Sequence, residues 1–142
     1  MTPQPFTLGP GFSVAGRLDR ADIDALASAG VRTIINNRPD GEDPGQLPAA
    51  EARRIAEAQG IAYRFIPITA ATLSRADVDA FAAALRRAPV PVVAHCRSGT
   101  RSTLLWALAR IREGADSLSL IAEAAQHGID IASLPAVAAR LR

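Results

Sequence analysis

Short apolar runs alternate with alanine-rich helical stretches along most of this chain, and that alternation limits the fold more than any other feature. Phe12 to Ala15, Val31 to Asn36, Ile61 to Ile68 and Val90 to Ala94 read as strands. Val31-Arg32-Thr33-Ile34-Ile35-Asn36 is β-branched and mostly apolar, as expected of a strand buried on both faces. Ile61 to Ile68 alternates instead and carries Pro67 near its end, which suits a half-exposed or edge position. The intervening segments carry helix signals. Asp19 is expected to cap a helix with Ile23, Leu26 and Ala27 on one face, closed by Gly30. Pro48 to Gln59 ends at Gly60, and Ser74-Arg75-Ala76-Asp77 opens a helix through Val78, Phe81, Ala82 and Leu85. Further helices are expected over 101–113, from Asp116 or Ser117 to Gln126, and after Ser133-Leu134-Pro135. This order implies an α/β fold: a mostly parallel, four- to five-stranded sheet with helices on both faces.

The length suits one domain over residues 1–142. Residues 1–11, with three prolines, are expected to run extended over the surface, and 115–142 to form C-terminal helices. No apolar run approaches the ~20 residues of a membrane span. The first eleven residues lack the basic start and apolar core of a secretory signal, so a reduced cytoplasmic setting is expected. A single cysteine excludes an internal disulfide or a multi-cysteine zinc site, and no metal-ligand spacing or cofactor motif is present. Net charge is only +2, and the arginines are scattered without interleaved aromatics, which argues against nucleic-acid binding. Lysine is absent; the arginines suit planar oxyanions.

That lone cysteine sits at the most informative place in the chain, Val92-Val93-Ala94-His95-Cys96-Arg97-Ser98-Gly99-Thr100-Arg101-Ser102. A strand ends in Cys96 and a helix begins near Arg101. Backbone amides in such a loop, backed by a helix N-terminus, converge on an anion. The same positive field favours the nucleophilic thiolate. Cys96 is therefore read as a nucleophile, with the amides of Arg97, Ser98, Gly99 and Thr100 lining an oxyanion cradle. Gly99 permits a tight turn and close approach to a ligand. Arg101 can fork two donors onto a tetrahedral oxyanion. As plain structure it would be a surface charge, but a cation is disfavoured at a helix N-terminus, so a bound anion accounts for it better. Ser102 either donates its hydroxyl to the Cys96 thiolate or caps the helix. His95 points away from Cys96 on the strand and is expected to support the loop by hydrogen bonds. His127, at a helix end, is read as a cap without a catalytic role.

Asn37-Arg38-Pro39-Asp40-Gly41-Glu42-Asp43-Pro44-Gly45-Gln46 is the most polar, turn-rich segment and follows a strand's carboxyl end. Ligands bind at such ends in open α/β sheets, so this loop is expected at the site.

The run His95-Cys96, Gly99, Arg101-Ser102 resembles the signature loop of cysteine-based tyrosine and dual-specificity phosphatases. More broadly, Phe12 to Gly114 resembles a bacterial branch, the phosphatase-like domain named after beta-lactamase hydrolase-like proteins. Gly16-Arg17-Leu18, Ile35 to Glu42, Ile66-Pro67-Ile68 and His95 to Ser102 carry the likeness. The resemblance implies a tyrosine-phosphatase-like fold. It also implies attack of Cys96 on phosphorus, oxyanion binding by the loop and Arg101, and help from the Ser102 hydroxyl to the leaving thiolate. The implied substrate is a phosphorylated protein or a small phosphoester.

Two departures keep other readings open. Four residues separate Cys96 from Arg101, where the phosphatase loop usually has five. Cys-Arg-Ser-Gly-x-Arg-Ser also resembles single-domain bacterial rhodaneses, whose cysteine carries a persulfide between a sulfur donor and an acceptor thiol. Relatives of this branch fused to sulfide-metabolising domains point the same way. Second, Thr69-Ala70-Ala71-Thr72, where a general acid is expected, holds no carboxylate. Such an acid is worth ~10²–10⁴-fold. Asp77 reads as a helix cap and Asp79 as a solvated residue, which leaves Asp40 and Glu42 as alternatives, Asp40 preferred. The readings are a phosphomonoester hydrolase, a sulfurtransferase and a phosphate-binding module without turnover.

Overall fold

A computed structural model describes residues 5–141. Five strands form one sheet in the order β1-β2-β5-β3-β4. The strands are β1 (Phe6–Gly9), β2 (Phe12–Ala15), β3 (Thr33–Asn36), β4 (Ala62–Phe65) and β5 (Val92–His95). All neighbours are parallel except β1 and β2. The helices are α1 (Arg20–Ser28), α2 (Ala49–Glu57), α3 (Arg75–Arg87), α4 (Thr100–Arg112), α5 (Ser117–Gln126) and α6 (Leu134–Arg140). Among the described residues, no helix is long and apolar enough to cross a membrane.

Side chains alternate across the central strands and so divide the core in two. Ile34 and Val93 face α1 and α2, where they meet Ile23, Leu26, Ile55 and Ala56. Ile35, Val92 and Ala94 face the other way, against Val78 and Phe81 of α3 and Leu105 and Trp106 of α4. Helices therefore cover both faces. Asp19 and Ser74 close the two expected N-termini with full capping boxes, each paired with an aspartate three residues on. Asp116 caps α5 through the amide of Ser119. The expected edge strand is β4, which among the described residues pairs with β3 alone.

Within residues 1–11, expected to run extended over the surface, Phe6–Gly9 forms β1, turning back at Pro10-Gly11 to pair antiparallel with β2. Leu8 is buried in the larger core, and Phe6 stacks on the His127 ring at 4.7 Å between centroids. The remainder of that expectation, Met1 to Gln4, lies outside the described residues.

The register of the three central strands builds the site. Ala15, His95 and Asn36 are aligned across β2, β5 and β3. The next residues of each chain segment, Gly16-Arg17, Cys96-Arg97 and Asn37-Arg38, therefore leave the sheet side by side. Backbone bonds tie them: Arg17 N–H donates to the Arg97 carbonyl at 3.1 Å and Asn37 N–H to the His95 carbonyl at 2.8 Å.

Candidate active site

Cys96 follows the last residue of β5 and is fully buried. Its sulfur accepts the Gly99 N–H at 3.1 Å. The donor reaches back because Gly99 has φ +95°, a left-handed turn that L side chains rarely adopt. Gly99 is also the N-cap of α4, with no side chain to occupy the helix's first amides. The chain thus places a thiol under a backbone donor at a helix N-terminus.

Arg101, in the first turn of α4, does not extend into water. Its two terminal nitrogens grip both Glu42 carboxylate oxygens at 2.7 Å each, and Nη1 also donates to the Ile68 carbonyl at 3.0 Å. Glu42 is the main reason the guanidinium is held above its ordinary pKa; burial opposes the shift and the charge of Cys96 adds to it. The Glu42 carboxyl is in turn pulled below the usual range, first by hydrogen bonding to Arg101, against its desolvation, and also by Arg38. Glu42 is therefore an ionised partner of the arginine.

Asp40, the acid preferred from the sequence, is engaged elsewhere. Its Oδ1 accepts the Ala49 N–H at 2.8 Å, capping α2, whose N-cap residue is Pro48 and has no side-chain donor or acceptor. The Thr69–Thr72 loop is closed on itself by its two threonine hydroxyls.

Ser102 neither caps α4 nor offers its proton to Cys96. Asn37 settles this. The Asn37 Nδ2 donates to the Ile66 carbonyl at 2.9 Å, which orients the amide oxygen toward Ser102. That oxygen can only accept, so the Ser102 hydroxyl donates to it at 2.8 Å. A hydroxyl has one proton, and only lone pairs remain on its other side. Both residues are fully buried.

His95 is buried, and its Nδ1 lies 3.4 Å from the Cys96 carbonyl. Burial pushes its pKa down to about 4, so the ring is neutral near pH 7. Arg97 and Ser98 are exposed; the Arg97 side chain pairs with Asp43 at 3.0 Å, and the Ser98 and Thr100 hydroxyls meet at 3.2 Å. Asn37, Arg38 and Asp43 lie in the polar loop expected at the site, although the sequence reading gave none of them a role of its own. Their signal is their place, directly after a strand that runs in register with the cysteine strand.

A mostly parallel sheet with helices on both faces and a cysteine loop leading into a helix N-terminus define a phosphatase-like domain with the tyrosine and dual-specificity phosphatase fold. A solved structure from Neisseria meningitidis, described as a candidate phosphatase, is 31% identical, covers 96% of each chain and superposes with a TM-score of 0.85. P. aeruginosa TpbA, solved in complex with pTyr, has a TM-score of 0.62 at 20% identity over 84% of this chain and 70% of its own, a likeness of fold alone. The family profile of the beta-lactamase hydrolase-like protein, phosphatase-like domain, matches residues 6–113, and the chain belongs to that family. The beta-lactamase hydrolase-like protein of Agrobacterium fabrum is 38% identical over 121 residues. That match takes in 84% of this chain but spans only 28% of the Agrobacterium protein.

Proposed function

We propose that the protein hydrolyses phosphomonoesters through a cysteinyl-phosphate. The observation that carries this reading is the Gly99 N–H on the Cys96 sulfur beside the Arg101 guanidinium, within a family of phosphatase-like domains. The Cys96 thiolate attacks phosphorus; the S–P bond forms as the ester P–O bond breaks. The amides of residues 97–101 and the Nε–H of Arg101, whose terminal nitrogens are held by Glu42 and Ile68, hold the equatorial oxygens as charge develops on them. Water then attacks phosphorus, releasing inorganic phosphate and returning the electron pair to sulfur. The Gly99 N–H stabilises the departing thiolate, because the Ser102 proton is committed to Asn37.

The leaving oxygen needs a proton, or must tolerate leaving without one. Asp40 caps a helix and Glu42 is ionised against Arg101, so neither is assigned as the acid. The reading therefore favours substrates whose leaving group is stable as an anion, with aryl phosphates ahead of alkyl phosphates. The pTyr bound by the P. aeruginosa neighbour supports testing that class first.

One feature favours the rival sulfurtransferase: the loop from Cys96 to Arg101 is one residue shorter than the usual phosphatase loop. A sulfane sulfur fits a smaller cradle and needs no general acid. The test gives the protein and Cys96→Ser an aryl phosphate and, separately, thiosulfate with cyanide. Phosphate release that is lost in the variant is the expected result. Thiocyanate formation without phosphate release would assign sulfur transfer, and anion binding with neither product a binding module.

A further inference from the structure

We infer that Arg38 is the positioning residue of this cradle: it holds, through Glu42 and Asp43, the arginines at both ends of the cysteine loop. The inference deepens the proposed function and rests on it.

The guanidinium of Arg38 is almost fully buried, with its side chain 6% exposed. A buried cation is costly unless paired and hydrogen-bonded. Here the pairing is double. Nε donates to Glu42 Oε1 at 3.2 Å, and Nη2 bonds Asp43 Oδ2. Each carboxylate then passes the contact on. Glu42 takes the fork of Arg101 at 2.7 Å, and Asp43 takes Arg97 Nε at 3.0 Å. The result is an unbroken chain, Arg97–Asp43–Arg38–Glu42–Arg101, with Arg38 at its centre. Three guanidiniums share two carboxylates, so the cluster carries one more positive than negative charge.

The carboxylates are fixed as well as paired. Gln46 Oε1 accepts the backbone N–H groups of Glu42 and Asp43 at 3.0 and 3.3 Å, while its Nε2 donates to the Pro39 carbonyl at 2.8 Å. Arg38 is anchored from behind: its N–H donates to Asn36 Oδ1 at 2.8 Å, and Asn36 Nδ2 donates to the buried Tyr63 hydroxyl at 2.8 Å. A planar fork with donors at fixed angles can serve two carboxylates at once. A lysine ammonium keeps the charge but not that geometry.

This separates geometry from charge. In Arg38→Lys the net charge of the cluster is kept but the arginine that holds the oxyanion loses its place, so affinity for tungstate, an inorganic oxyanion, is expected to fall by calorimetry, though less than in Arg38→Met. The position of Arg101 is lost, and kcat for an aryl phosphate is expected to fall on the order of 10²-fold. In Arg38→Met both tungstate affinity and kcat fall. Wild-type kcat in Arg38→Lys would overturn the inference, as would wild-type kcat and affinity in a folded Arg38→Met. If Arg38→Met does not fold, Arg38→Lys decides. If the wild-type protein turns over no phosphate ester, the proposed hydrolysis fails but the positioning does not. The Arg101 Nε–H resonance then reads it directly: resolved in the wild type and merged with exposed arginines in Arg38→Lys supports it, and resolved in both overturns it.

Discussion

Ser102→Ala tests the proton accounting at the site. In the native structure the hydroxyl donates to Asn37 Oδ1 at 2.8 Å, and both residues are fully buried. Removing the hydroxyl leaves an amide oxygen that cannot turn away, because Asn37 Nδ2 is held by the Ile66 carbonyl. The cost of a buried acceptor without a donor is about 1–3 kcal/mol. Urea unfolding of the wild type, Ser102→Ala, Asn37→Ala and the double variant closes a cycle that isolates the pair. A coupling of about 0.5–3 kcal/mol is expected for groups in direct hydrogen-bond contact. The same variants bear on mechanism. Because the hydroxyl proton faces Asn37, Ser102→Ala is expected to lose stability without accumulating a phosphorylated enzyme in pre-steady-state kinetics. A coupling near zero together with a burst of leaving group in Ser102→Ala would refute the reasoning. It would mean that the proton serves the departing Cys96 thiolate after all.

Two further outcomes follow from the geometry. His95 has a folded pKa of about 4 against an ordinary value of 6.5, so the unfolded chain binds the proton first as pH falls. The stability it supports is present above about pH 6.5 and lost as pH drops toward 4; between pH 7 and 5 the loss attributable to this ring is about 2 kcal/mol. Urea unfolding at the two pH values should show that slope flattened in His95→Asn, and an unchanged slope would contradict the assignment. Gly99→Ala places a Cβ at ordinary contact distance from Val14, Ile129 and Phe6, so its cost comes from φ +95°. A loss of about 1–2 kcal/mol is expected, with reduced tungstate affinity as the loop amide shifts off the sulfur. Wild-type stability and affinity would show that the left-handed turn is dispensable.

How much of this was legible in the sequence varies with the distance over which the cause acts. Local causes read well. The capping boxes at Asp19 and Ser74 lie within four residues, and the edge position of β4 follows from alternation and Pro67. The Cys96 loop is compact enough that its strand, glycine and helix start are all visible at once. Strand β1 was hidden because Phe6–Gly9 lies between prolines, and although β2 follows it directly, its stacking partner His127 is far along the chain. The carboxylates of the polar loop were harder still. Asp40 and Glu42 are two residues apart and chemically alike; one caps α2 and the other meets Arg101. That choice depends on how Gln46 folds the loop and on the register of β3 against β5. The direction of the Ser102 proton depends on Asn37, whose orientation is set by the carbonyl of Ile66, a third segment of chain. No local pattern encodes a relay of that kind.

The central claim is that Cys96 carries the phosphoryl group during turnover. Acid quenching during hydrolysis of an aryl phosphate, followed by peptide mass spectrometry, tests it most directly. A phosphate adduct on the peptide containing Cys96, absent in Cys96→Ser, is the predicted result. Hydrolysis that persists in Cys96→Ser, or a sulfur adduct on Cys96 in place of phosphate, would contradict it.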